Sequence, residues 1–494
     1  MEQFKKEAGV LCHISALPGK YAIGSLGKEA YRFAQTLAKS GVKYWQVLPL
    51  VQTGFGDSPY SSVYSDSGNP YFIDLELLAK GGLITKEELK GAERKGEVDY
   101  GALYEERYPL LRKAFSRFNF DGADFRAFVK TGGQEDYALF MTAKTVFGGN
   151  FPDWEAGIRD RDADALEKLR TDYHEEYLFW HFLQYEFHLQ WQALKSYCNG
   201  LGVKIIGDIP LYVAYDSADV WAHPELFRLD KKFKPAKVAG VPPDYFSKTG
   251  QLWGNPVYNW KEHEKDGYAW WRNRLNRALD TYDVVRIDHF RGLDRYYEIP
   301  YGAETAEHGE WKHGPKEKLF EGFESSAIIA EDLGVIDDGV RTLLKKTGFS
   351  GMKVLLFAFD GNPDNPFLPQ NIGENSVCYT GTHDNDTVWG YAESLSAEEF
   401  ILFRSRVAAA LEERGVLVSI GKKGENLPEA FIRLAMSTNA RLAVVPVQDI
   451  LGLGNEARTN YPGIAEGNWK FRLSHRLGGA SMKRMKKIIK KYGR

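Results

Sequence analysis

Eight short apolar runs separated by longer helix-prone stretches constrain this 494-residue chain more than any other feature. They are VLCHIS at 10–15, YWQVLPL at 44–50, KIIGDIPL at 204–211, VVRID at 284–288, AIIAED at 327–332, KVLLFAF at 353–359, SVCYTGT at 376–382 and LAVVPVQDI at 442–450. Runs of this length, rich in Val, Ile and Leu and alternating with helices, read as parallel strands. The fold class they predict is α/β, a (β/α)8 TIM barrel with large, mainly helical insertions between barrel strands. An open doubly wound sheet is the alternative. No GxGxxG follows any run, which removes the usual support for a dinucleotide-binding version of that sheet.

The gap of roughly 150 residues between the second and third runs predicts an inserted subdomain. Residues 1–80 and 176–494 are therefore expected to form the barrel, and 81–175 a mainly helical insert. The stretch at 178–197 is apolar almost all round and reads as a deeply packed helix, with His181 and His188 as packing residues. Segments at about 212–275 and 290–326 are expected as long active-site loops of little periodicity. The basic tail at 481–494 places Met482, Met485, Ile489 and Tyr492 at helical spacing, and so reads as a docked terminal helix.

Hydrophobic residues at 43% and charged residues at 27% describe an ordinary globular protein. The net charge of -3 argues against a nucleic-acid partner. Cys12, Cys198 and Cys378 show no metal or disulfide spacing. Neither a signal sequence nor an apolar run long enough to span a bilayer is visible, so a cytoplasmic location with no membrane partner is expected.

Several runs end in a carboxylate: Asp208 after KIIG, Asp288 after VVRI, Glu331 after AIIA and Asp384 after CYTGTH. In a barrel the C-terminal strand ends face the active site, so these acids should converge. A single acid after a strand is usually a helix cap or turn residue, and Asp449 after VVPVQ reads as one. Arg286 and Asp288 are two apart on one strand and point to the same side, so the guanidinium should hold Asp288 ionised, as a nucleophile requires. Taken alone, the pair also fits a structural ion pair buried in a barrel. Glu331 emerges from an apolar strand, where desolvation would keep it protonated as an acid. Two carboxyls held in different protonation states are the equipment of glycosidic bond cleavage.

The stretches QVLPLVQTGFGDSPYSS at 46–62, GNPY at 68–71, IIGDIPLYV at 205–213, PPDYFSKTGQLWGNPVYNW at 242–260, VVRIDHFRG at 284–292, IIAEDLG at 328–334 and YTGTHDND at 379–386 resemble the 4-α-glucanotransferases, or amylomaltases, of glycoside hydrolase family 77 in the α-amylase clan. The resemblance continues to YPGIAEGNWKFR at 461–472 and is weakest at 81–175. It implies a retaining transferase that passes a segment of an α-1,4-glucan to the 4-hydroxyl of an acceptor. Malto-oligosaccharides or amylose would serve as donor and acceptor, with glucose as a further acceptor and no cofactor or metal. By the same resemblance Asp288 is the nucleophile, Glu331 the general acid and Asp384, with His383, the residue that stabilises the transition state. Asp208, Arg286 and His289 complete the cleavage subsite, and Tyr60 stacks on its sugar. Asp244, Gln251, Trp253 and Asn255 contact glucan, the last three from a flexible loop that folds over it, and Asp360 contributes to acceptor binding. For Asp360, a turn role before GNPDNP fits the residues equally well.

Three competing readings remain at the level of sequence. An α-amylase-like hydrolase would use the same carboxylates. A metal-dependent barrel hydrolase would use His383, Asp384, Asp288 and His289 as ligands, but lacks a dense histidine cluster. A non-catalytic glucan-binding protein would have no need of both Asp288 and Glu331.

Overall fold

The computed structural model describes residues 5–494 apart from 55, 132, 244–246, 335 and 465. Its strands in chain order begin with β1 (Glu7–Leu11), β2 (Tyr44–Gln46), β3 (Lys204–Ile209) and β4 (Lys237–Val241). They continue with β5 (Gln251–Pro256), β6 (Val284–Ile287), β7 (Arg295–Pro300) and β8 (Glu310–His313). The last four are β9 (Ile328–Ala330), β10 (Ser350–Val354), β11 (Ser376–Tyr379) and β12 (Leu442–Pro446).

Eight of these close a parallel barrel in the order β1-β12-β11-β10-β9-β6-β3-β2. The runs read from sequence supply all eight, with two displacements. The first strand ends at Leu11, and Ile14–Ala16 is a 3-10 turn; the sixth begins at Ser350, and Leu355–Phe357 is again a 3-10 turn. Ile14, Ala16, Leu355 and Leu356 in these turns are apolar and buried, so hydrophobicity alone does not mark where the ladder stops. Strands β6, β9 and β12 are buried at every position, as expected of parallel strands covered on both faces.

A second sheet accounts for the segments expected as long loops. At 212–275 and 290–326 the chain forms β4, β5, β7 and β8, antiparallel in the order β5-β4-β7-β8, around Val238, Tyr297, Ile299 and Ala306. The expected flexible loop over the glucan is thus edge strand β5, paired with β4. Gly240 permits that pairing, because a Cβ there would meet the Gln251 carbonyl at 2.2 Å. Strand β5 is difficult to read from sequence because its centre is exposed and it carries Gly254 and Pro256, both poor strand formers.

Short helices from Leu75–Lys80 to Ala163–Asp172 precede the 27-residue helix His174–Gly200, which buries Phe179, Phe182, Leu183, Trp191 and Leu194. His181 is fully buried on it, its ring 4.6 Å from Tyr177, and His188 packs near Phe128. The C-terminal helix Gly479–Tyr492 docks through Met482, Met485, Ile488 and Ile489. Cys12, Cys198 and Cys378 are buried free thiols.

One glycine in the barrel wall links this packing to the site. At Gly207 in β3, a Cβ would lie 2.1 Å from the Tyr282 ring. Gly207→Ala must displace that ring or the strand carrying Asp208, and is expected to destabilise by about 1–3 kcal/mol. The midpoint of thermal unfolding should fall measurably; an unchanged midpoint would contradict the packing described.

Candidate active site

The C-terminal rim is organised by one guanidinium. Asp208 on β3 and Arg286 on β6 are register partners on neighbouring parallel strands, so both side chains leave the ladder on the same side. Arg286 Nη1 donates to both oxygens of Asp208, at 2.8 and 2.7 Å. Its Nη2 donates to Asp288 Oδ1 at 2.9 Å, and its Nε approaches Met352 Sδ on β10 at 3.4 Å. The Tyr60 hydroxyl donates to Asp208 Oδ2 at 2.7 Å. Asp208 and Arg286 are buried, whereas the Asp288 side chain keeps 28% of its surface open at the barrel mouth.

Glu331 is held beside Asp288 by backbone. The Asp288 amide still follows the strand ladder, donating to Ile209 O at 3.0 Å, but His289 then turns into the left-handed region at φ +49°. That turn directs the His289 amide at Glu331 Oε2, 2.8 Å away, while Leu333 N donates to Oε1 at 2.7 Å. Glu331 N donates to Ile287 O and Phe290 N to Glu331 O, so the residue is fixed at three points to the segment that carries Asp288. A left-handed conformation at a non-glycine residue is strained, and here it sits between the two acids.

Asp384 follows β11 and is anchored from the far C-terminal segment. Asn460 Nδ2 donates to its Oδ1 at 2.7 Å, His383 Nε2 lies 3.3 Å from its Oδ2, and Arg458 Nη2 donates to its carbonyl at 2.6 Å. The His383 ring stacks on Tyr60 at 5.2 Å and 9°, and Trp469 leans on both. Asn460, Arg458 and Trp469 are contributors that the strand-end pattern does not reveal, because their partners lie about 70 residues or more away in sequence.

The remaining expected residues divide. Trp253 meets His289 edge to face at 4.7 Å, and its indole donates to Gln251 Oε1 at 3.1 Å, which brings β5 over the rim. Asn255 Nδ2 instead donates to Val213 O at 2.8 Å, tying β5 to the segment after β3. Asp360 is exposed and its Oδ1 accepts from Asn362 N at 2.9 Å, which is the turn role. Asp449 accepts from Thr380 and from Val388 N at the start of the helix Val388–Ser394, a structural task. Asp244 lies outside the described residues.

The electrostatics differ from the sequence expectation at one point. Burial, opposed by Arg286 and reinforced by Glu331, Asp208 and Asp384, raises Asp288 to about 8 instead of leaving it depressed. The physical reason is burial, which outweighs the charge of an Arg286 that also bonds both oxygens of Asp208. Burial also raises Glu331, as expected, against Arg286 and its two backbone donors. Both acids are thus held above the ordinary carboxylate range, chiefly by burial. Burial keeps His289 neutral, with its value lowered to about 3.

A pair of carboxyls at the C-terminal rim of a parallel barrel is the equipment of the class of barrel enzymes that cleave glycosidic bonds. Residues 12–477 match the family described as 4-alpha-glucanotransferase, and the chain belongs to that family. It is 46% identical over 479 residues to a 4-alpha-glucanotransferase of Thermus thermophilus, covering 94% of each chain. A 4-alpha-glucanotransferase of Clostridium butyricum is 44% identical over 476 residues, covering 93% of this chain and 95% of the relative. Among solved structures, the amylomaltase from Streptococcus agalactiae in complex with acarbose superposes with a TM-score of 0.92 at 36% identity, covering 99% of this chain and all of that one.

The charge on Arg286 is the opposing influence on Asp288. Its removal should raise the Asp288 pKa further, so the acidic limb of the activity–pH profile should move to higher pH in Arg286→Gln, by about 1–3 units. A limb that stays in place or moves down would show that Arg286 does not set the charge of Asp288.

Proposed function

We propose that this chain is a retaining 4-α-glucanotransferase acting on malto-oligosaccharides and longer α-1,4-glucans, with glucose as a further acceptor, and that it works in the cytoplasm. Family membership supports the reaction and disfavours the α-amylase-like hydrolase. Three buried free thiols agree with a reducing compartment, and among the described residues no helix is long and apolar enough to cross a membrane.

The observation that carries the mechanism is the attachment of Glu331 to the amide of the residue after Asp288. Donor glucan bound across the rim would meet both carboxyls at one linkage. Asp288 attacks the anomeric carbon while Glu331 gives its proton to the glycosidic oxygen, which departs as the 4-hydroxyl of the released piece. The bond formed is a β-linked glycosyl ester. Glu331, now a carboxylate, takes the proton from an acceptor 4-hydroxyl as that oxygen attacks the same carbon, and Asp288 is freed. Two inversions restore the α configuration. The transition states carry positive charge on the sugar ring, and Asp384, held by Asn460 and Arg458, would stabilise it and grip hydroxyls beside His383. Tyr60, buttressed by His383 and bonded to Asp208, would present its ring to the same sugar. Trp253 over His289 would help exclude water, so that a positioned sugar hydroxyl attacks first.

With maltotriose as sole substrate, the protein should yield glucose and a ladder of longer maltodextrins with no growth in total reducing ends. Asp288→Asn should lower the rate by on the order of 10⁴-fold or more. Rising reducing ends without longer products would establish a hydrolase, and full activity in the variant would remove Asp288 from the mechanism.

A further inference from the structure

The three nitrogens of Arg286 are divided among three partners. Nη1 donates to both oxygens of Asp208 on β3, Nη2 to Asp288 just after β6, and Nε to the thioether of Met352 on β10 at 3.4 Å. The third partner differs in kind from the other two. A thioether is a weak, neutral acceptor, and here it shares a guanidinium with two carboxylates.

Arginine and a carboxylate pair best through two parallel bonds, from two nitrogens to two oxygens. Asp208 does not receive that fork, because a single nitrogen bonds both of its oxygens. To complete the fork the guanidinium must turn, and turning breaks the bond from Nη2 to Asp288. What opposes the turn is the anchor on Nε. Met352 is fully buried and Arg286 only 3% exposed, so the sulfur and not bulk water satisfies that donor.

Met352 is itself fastened. Its backbone N–H donates to Asp332 Oδ1 at 2.6 Å, and Asp332 Oδ2 is paired with Lys353 Nζ at 3.4 Å. Gly351 leaves room for this, since a Cβ there would meet the Asp332 carboxylate at 2.7 Å. Asp332 directly follows Glu331, so the residue whose sulfur meets Arg286 is bonded through its backbone to the segment that carries the second acid.

We propose that Met352 is a positioning residue for the nucleophile: its sulfur holds Arg286 Nε and thereby keeps Nη2 on Asp288 instead of on Asp208. Leucine would fill nearly the same volume and accept nothing, and a buried N–H without a partner would drive the guanidinium to the nearest spare oxygen. Asp288 is acted on by Arg286 from its own strand, Asp208 from β3, Glu331 from β9 and Asp384 from beyond β11; of these only Arg286 favours its ionised form. Loss of the Nη2 bond therefore makes Asp288 harder to ionise. That Asp288 is the nucleophile rests on the function reading; the contact itself does not.

A crystal structure of Met352→Leu reads the geometry without turnover. Arg286 Nη2 is expected beyond hydrogen-bond distance of Asp288, with a second nitrogen on Asp208. With maltotriose as substrate, the acidic limb of the activity–pH profile should move to higher pH by about half a unit or more. Met352→Gln, whose side-chain oxygen can accept from Nε, should bring the limb back toward its original place. An unmoved guanidinium in Met352→Leu overturns the proposal, as does an unmoved limb or an equal shift in Met352→Gln. Met352→Ile, also without an acceptor, serves the same comparison if the leucine variant does not fold. Absence of transfer in the unaltered protein would defeat the function reading, and the crystal structure would still decide whether the sulfur holds Arg286.

Discussion

The contact on which the rest of the structure depends is the Arg286 guanidinium, which joins the β3 aspartate Asp208 to the rim aspartate Asp288. A charge buried in a barrel is costly unless paired, and here one cation serves two carboxylates and touches Met352 across the lumen. Once Asp208 is bound by Arg286 and Tyr60 it is held rigidly, and the position of the Tyr60 ring follows from it. The His383 ring then stacks on Tyr60, and His383 lies against Asp384. A chain of contacts thus runs from β6 to the ends of β3 and β11, with Glu331 tied separately to the turn after β6.

Burial explains the charge state of the site. Burial in low-dielectric packing outweighs a guanidinium divided between two acids, and leaves both Asp288 and Glu331 raised. A raised Glu331 suits a reaction in which that carboxyl must donate a proton in the first half and recover one in the second.

Much of this was legible in the sequence, for physical reasons that differ by element. The barrel strands are buried on both faces, so continuous Val/Ile/Leu runs mark them, and the acids that end β3, β6 and β9 and follow β11 stand where such a barrel opens. What local patterning could not reveal depends on partners distant in sequence. The β5-β4-β7-β8 sheet joins two segments separated by β6, and β5, exposed and interrupted by Gly254, was expected as a flexible loop. The grip of Asn460 and Arg458 on Asp384 crosses more than 70 positions. For Asp360 the sequence fitted acceptor binding and a turn equally well, and the carboxylate makes the turn bond, to Asn362 N.

If glucan is carried covalently on Asp288, the ester can be trapped. In Glu331→Gln, an α-maltosyl fluoride donor needs no protonated acid to expel fluoride, while attack by an acceptor lacks its base, so the glycosyl-enzyme should accumulate. Intact-mass and peptide mass spectrometry should then find a maltosyl increment on the peptide carrying Asp288. Donor consumption with no adduct, or an adduct on another residue, would contradict the account.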